Sequence, residues 1–94
     1  MILNATTQTL EIVLGASVAT NESPITVDYV EFTASTTTPA VQASVTTGTS
    51  AATILSAPGV NTQRKVNAVF IANKDTAAIS VTVRLNSAST FYPL

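Results

Sequence analysis

The sequence contains no cysteine, no histidine and no tryptophan. Without cysteine the chain has no disulfide, no thiolate nucleophile and no cysteine-ligated zinc or iron–sulfur site. Without histidine it has no Ser-His-Asp triad, no imidazole general base and no imidazole metal ligand. Since these residues carry most catalytic chemistry in proteins, we expect a protein that is not an enzyme.

Charge is also scarce, at 10% of the residues against about 25% in an ordinary globular domain. Nucleic-acid binding needs clustered Lys and Arg, and the only basic doublet is Arg64-Lys65. The carboxylates closest in sequence, Asp28 and Glu31, would point to opposite faces of a strand. We therefore predict no nucleic-acid partner, no metal, no cofactor and no small-molecule substrate.

Long apolar runs are missing as well. No segment approaches the ~18 consecutive apolar residues of a membrane helix. Residues 17–19, Ser-Val-Ala, resemble a signal-peptidase site, but the preceding stretch has no Lys or Arg and is interrupted by polar side chains. We expect no membrane association and no signal peptide, with residues 1–19 belonging to the mature protein.

Threonine and other β-branched residues are abundant, with 17 Thr, 11 Val and 6 Ile. Their side chains are stiff at χ1 and fit a pleated surface better than a helix. The apolar residues recur with a period of two, and no segment has a convincing stripe of period 3.6. The pattern predicts an all-β chain.

The clearest strands are predicted at residues 65–72 and 79–85, where apolar and polar side chains alternate. Residues 73–77 (Asn-Lys-Asp-Thr-Ala) favour a turn, because Asn and Asp bond their own backbone. A five-residue loop between two such strands predicts an antiparallel C-terminal hairpin over 64–85.

Weaker alternation predicts further strands upstream, at residues 8–14, 25–33, 41–45 and 52–57. Six to seven short strands separated by turn signals are typical of a small antiparallel β-sandwich, immunoglobulin-like or jelly-roll-like. We predict that residues 1–94 form one such domain.

Both ends of the chain are apolar, although termini normally fray in water. Either the chain continues past Leu94 and a C-terminal strand is missing, or the end adds as a strand to a neighbouring subunit. Few charges are available to protect the strand edges, which favours a permanent oligomer. The residues predicted to form an interface are Met1, Ile2, Leu3, Phe91, Tyr92 and Leu94.

Two further sets of side chains have alternative interpretations. Tyr29 and Phe32 flank Glu31 and, with Tyr92, are candidates for a sugar-stacking platform. The alternative is that at least one of these rings packs in the core. Arg64-Lys65 fits either an acidic partner or a strand end whose charges prevent edge pairing.

Three motifs follow one another in the second half of the chain. They are Ala-Pro-Gly-Val-Asn-Thr-Gln-Arg-Lys-Val at 57–66, Ile-Ala-Asn-Lys-Asp-Thr-Ala-Ala at 71–78 and Val-Thr-Val-Arg-Leu at 81–85. Together with residues 3–11 and Leu14-Gly15, they resemble a family of small tailed-bacteriophage structural proteins. Members are commonly labelled tail-fibre, head-decoration or unassigned virion proteins, and continue past the equivalent of Leu94 with a further strand.

The resemblance implies a non-enzymatic virion protein, assembled in the host cytoplasm as a head-decoration or neck/tail-fibre component. Its partners would be copies of itself and other virion proteins of the capsid, neck or tail. The resemblance transfers no catalytic or metal-binding residue to this chain. The alternative function is a receptor- or glycan-binding module of a fibre or adhesin.

Overall fold

The computed structural model describes residues 1–94 as β-strands joined by loops, with no helix. The strands are β1 (Ile2–Leu3), β2 (Gln8–Leu14), β3 (Pro24–Phe32), β4 (Thr37–Val45), β5 (Ala52–Leu55), β6 (Gln63–Ile71), β7 (Val81–Ser87) and β8 (Thr90–Pro93). The prediction of an all-β chain is confirmed. There are eight strands rather than six or seven because both ends of the chain pair into sheets.

The strands form two antiparallel sheets of four. Sheet 1 has the order β1-β6-β3-β4, and sheet 2 has the order β5-β2-β7-β8. The predicted β-sandwich is confirmed. Only the β3–β4 and β7–β8 connections stay within one sheet, and every other connection crosses between the sheets.

Aliphatic side chains fill the space between the sheets, where the period of two places them. In β2, for example, Leu10, Ile12 and Leu14 are buried, as side chains on one face of a strand must be if that face covers a core. Burying one such side chain stabilises the fold by about 1.5–3 kcal/mol. The central cluster consists of Leu3, Leu10, Ile12, Ile25, Val27, Ala52, Ile54 and Leu55.

The predicted hairpin over 64–85 is wrong, although both of its strands exist. β6 pairs with β1 and β3 in sheet 1, whereas β7 pairs with β2 and β8 in sheet 2. Val69 and Ile71 of β6 and Val83 and Leu85 of β7 pack against the same core. Strands that cover a core from opposite sides cannot be neighbours in one sheet, where their apolar faces would point the same way.

The chain ends belong to the sandwich. β8 pairs with β7 of the same chain, with Tyr92 opposite Leu85 and Phe91 opposite Asn86. The C-terminal segment therefore pairs with a strand of its own chain, and is not donated as an added strand to a neighbouring subunit. At the other end, Leu3 pairs with Arg64 and its side chain is fully buried. Its prediction as an interface residue is wrong because it fills the core between the sheets.

Candidate functional site

Strand β4 presents its apolar side chains to solvent and its polar ones to the interior. Val41 and Val45 are 62% and 53% exposed. On the opposite face, Gln42 reaches towards sheet 2, where its Oε1 accepts hydrogen bonds from the Ser56 backbone N–H at 3.1 Å and from the Ser56 hydroxyl at 3.2 Å. The Ser44 hydroxyl is buried without a partner. A strand built to cover a core of its own chain has the opposite polarity.

The apolar surface of β4 continues across sheet 1. Ala43 of β4 pairs with Thr26 of β3, which pairs in turn with Phe70 of β6, and the Phe70 side chain is 60% exposed. We name this surface the outer face of sheet 1. Its members are Ile2, Pro24, Thr26, Asp28, Val30, Phe32, Thr37, Pro39, Val41, Ala43, Val45, Gln63, Lys65, Ala68 and Phe70.

Only two of these residues are charged, Asp28 and Lys65. Asp28 lies between Val41 and Ala68 in the sheet, and Lys65 lies between Val30 and Ile2. Neither takes part in an ion pair, since the two ion pairs of the chain join Arg64 to Glu31 and Arg84 to Glu11. The outer face is therefore an apolar surface that carries one free acid and one free base.

The residues predicted as an interface do not form one surface. Ile2 lies on the outer face of sheet 1, whereas Phe91 lies on the outer side of sheet 2, so the sandwich separates them. Phe91 is also partly covered, because the Arg84 guanidinium carbon stands 3.8 Å above the centre of its ring. The exposed members of the predicted set are Met1, Ile2, Phe91, Tyr92 and Leu94.

Sequence reasoning identified Val41, Val45 and Phe70 as strand residues but not as interface residues. The signal that marks them is the succession Val69-Phe70-Ile71, which covers both faces of β6 with apolar side chains. Strands of this composition have both faces buried. Because β6 has only one face against its own core, the other face is available for a partner.

The aromatic residues proposed as a sugar platform do not converge. Tyr29 packs against the core, which confirms the alternative that at least one ring is internal, and the Arg64 guanidinium carbon lies 5.1 Å from its ring centre. Phe32 lies on the opposite face of β3 from Tyr29, since side chains alternate along a strand and the two residues are three positions apart. Tyr92 is on β8, in the other sheet.

Arg64 joins the two sheets and is not a solvated strand end. Its Nε donates to Glu31 Oε1 at 3.0 Å, and its Nη1 donates to the Ser56 carbonyl at 2.9 Å and to the Ser56 hydroxyl at 2.8 Å. The side chain is only 16% exposed. Of the predicted basic doublet, only Lys65 is free on the surface, so the pair is not a grip for an acidic partner.

A cleft of about 550 Å³ opens at one end of the sandwich, among the loops that follow β1, β3 and β5. No charged side chain lines it, and Phe32 is its only aromatic residue. Amide and hydroxyl groups dominate the lining, which suits a neutral polar ligand better than an ion or an apolar one. The lining residues are Asn4, Ala5, Thr6, Phe32, Thr33, Ala34, Gly59, Asn61, Thr62 and Gln63.

Asp75 ties two loops together at the opposite end. Its carboxylate accepts hydrogen bonds from the backbone N–H groups of Ala19 and Thr20 at 2.8 Å, Thr76 at 2.9 Å and Asn21 at 3.3 Å. These donors, the Ala19 N–H foremost, hold the pKa of the Asp75 carboxyl well below its ordinary value. A carboxylate engaged in this way fastens loops and does not act as a general base.

No three His, Cys, Asp or Glu side chains are grouped so that they could hold a metal ion. The structure has no helix with the length and apolarity that crossing a bilayer requires. In comparisons with known proteins, no family model, no curated protein and no solved structure matches the chain. The resemblance to phage structural proteins therefore stays a prediction.

Proposed function

We propose that the chain is a non-enzymatic structural protein of a bacteriophage particle, a head-decoration or neck/tail-fibre component. It assembles in the host cytoplasm into the virion, with copies of itself and with other capsid, neck or tail proteins as its partners. It needs no substrate, cofactor, nucleic acid or membrane for this role. The observation that carries the proposal is the outer face of sheet 1, with Phe70, Val41 and Val45 exposed.

An apolar surface of this extent supports assembly because soluble monomers rarely expose contiguous apolar patches larger than a few hundred Å². The outer face spans three strands of nine residues, β3, β4 and β6. Strands lie about 4.8 Å apart and rise about 3.3 Å per residue. The apolar area of the outer face is therefore larger than isolated exposed apolar side chains would give. Burial of this face against a neighbouring molecule would explain why it is apolar.

The small number of charges predicts how such an assembly responds to salt. Contacts made by apolar side chains lose little strength when ions screen charges. Assemblies of this protein should therefore survive about 0.5 M NaCl, where exposed charges are screened within about 4 Å. Dissociation of the assembled protein into single chains at that concentration would contradict the proposed mode of assembly.

The decisive experiment is an electron cryo-microscopy map of the purified particle, combined with mass spectrometry of its proteins. We expect this chain among the virion proteins, with the outer face of sheet 1 covered by a neighbour. Its absence from intact particles would refute the proposed function. A particle in which the chain is present but the outer face points to solvent would refute the part assigned to that face.

A glycan- or receptor-binding role is the second candidate, and the cleft is the observation that favours it. Neutral amide and hydroxyl groups beside one aromatic ring, that of Phe32, are groups that hydrogen-bond and stack on a sugar. Two-sheet β folds occur in both viral capsid and lectin domains, so the fold does not decide between the two candidates.

A glycan array tests this second candidate. The expected result is binding that Phe32→Ala and Asn61→Ala each abolish, while Val60→Ala, a change outside the cleft lining, leaves it unchanged. No signal on the array, or signal that both cleft variants retain, would remove the glycan-binding role.

A further inference from the structure

We propose that two copies of this chain pack against each other through the outer face of sheet 1, with Asp28 of one copy opposite Lys65 of the other. This inference rests on the proposed structural role and names the occupant that the role leaves open. A sheet face fits the observations better than the chain ends, because the exposed end residues are divided between two sides of the sandwich.

The size of the face suits a small interface between two copies. Three nine-residue strands are about 30 Å long and together about 14 Å wide. The two residues of β1 add only a corner, which gives roughly 460 Å² per copy. Two copies would then bury about 900 Å², close to the roughly 1,000 Å² expected of a biological interface, so we expect a weak and reversible pair.

The composition of the face fits a core of an interface. Charged residues are depleted at the centre of protein–protein interfaces, and large apolar side chains are enriched. Phe70 is the most exposed aromatic side chain of the face, at 60%, and it shares its row of the sheet with the small residues Thr26 and Ala43. The large Phe70 ring projects from the face, and the small side chains of Thr26 and Ala43 leave a depression beside it. A face that packs against a second copy of itself needs both a projection and a depression.

The two charges on the face are complementary to each other under a twofold axis. Asp28 and Lys65 occupy different positions on β3 and β6, two residue steps apart along the sheet. A twofold axis that lies in the interface plane and crosses the line between Asp28 and Lys65 at right angles at its midpoint places Asp28 of each copy over Lys65 of the other. Every contact of a twofold interface occurs twice, so both acids and both bases are paired, and none is buried alone.

Sedimentation equilibrium of the purified full chain tests the pairing. The wild type should dimerise, and Phe70→Lys should raise the dissociation constant by roughly 30-fold or more, because an unpaired charge would replace the most exposed aromatic side chain of the interface. Val60→Lys is the matched control, since Val60 is exposed in a loop outside the face and its substitution should leave the dissociation constant unchanged. Circular dichroism verifies that each variant keeps its β-structure.

Charge exchange identifies the partner positions. Asp28→Lys alone and Lys65→Asp alone should each be monomeric, because each would place like charges opposite one another in its own dimer. An equimolar mixture of the two variants should form heterodimers, in which both opposing pairs are attractive again. Mixing does not change the charges within either variant chain. Dimer formation that appears only in the mixture therefore reports contacts between chains and not folding within one chain.

The possible results separate this inference from the proposed function. A wild type that stays monomeric overturns the pairing of two copies, while the particle map still decides the structural role with another virion protein on the face. A wild-type dimer that tolerates Phe70→Lys overturns the choice of face. A dimer sensitive to Phe70→Lys whose charge variants show no recovery on mixing overturns the placement of the twofold axis.

Discussion

Leu3→Ala should destabilise the protein far more than Ile2→Ala, although the two residues are neighbours in the shortest strand. Leu3 is 0% exposed and belongs to the core, whereas Ile2 is 52% exposed and lies on the outer face. Replacing Leu3 with alanine removes three buried carbon atoms, worth about 2.4 kcal/mol in transfer free energy. With the cavity that remains, the loss should reach about 3 kcal/mol.

A loss of this size is measurable, since domains of this length are stable by only about 5–15 kcal/mol. It corresponds to a fall in Tm of roughly 12–24 °C for a chain of this length. Equilibrium unfolding in urea, followed by circular dichroism, gives the free energy of unfolding for both variants. Ile2→Ala is the control and should lower the free energy of unfolding by less than about 1 kcal/mol, because much of the Ile2 side chain is already in contact with water in the folded protein.

Two results would refute this account of the N-terminal strand. Equal losses for the two variants would mean that the strand does not alternate between core and solvent. A loss below about 1 kcal/mol for Leu3→Ala would mean that the first residues detach from the sandwich in solution, because a buried leucine in a fixed site costs about 2–5 kcal/mol to truncate.

The remaining predictions concern loops, an orphaned hydroxyl and the last strand. The pKa of Asp75 is lower in the folded than in the unfolded chain. Its carboxylate therefore stabilises the fold fully above the unfolded pKa of about 3.9, and this stabilisation is lost as the pH falls through the folded pKa. Asp75→Asn should therefore lower the urea midpoint at pH 7, and the difference from wild type should shrink towards pH 2 or below. Ser44→Ala should raise the free energy of unfolding by up to about 1 kcal/mol, because it deletes a buried hydroxyl without a partner; a loss of stability would show that the hydroxyl is satisfied. Arg84→Met should remove the ion pair to Glu11 and the contact with the Phe91 ring. Hydrogen exchange should then speed up first in β8, and equal acceleration throughout the sheet would argue against this local role.

The candidate site was only partly visible in the sequence. The alternation of Val41 and Val45 with Gln42 and Ser44 predicts a strand, but not which of its two faces is internal. That choice depends on sheet 2, whose Ser56 bonds Gln42 from across the sandwich. The cleft was invisible for the same reason, because its lining comes from three loops that only the folded chain brings together.

The sequence by itself determined that the chain is all-β and where most strands lie, because a period of two and β-branched side chains act locally along the backbone. Tertiary structure decided which strands are neighbours. Residues 73–77 have the chemistry of a turn in either case, but the apolar faces of β6 and β7 must close over one core from opposite sides. Strand pairing, the burial of Leu3 and the exposure of Phe70 all follow from that closure, which depends on contacts between residues far apart in the chain.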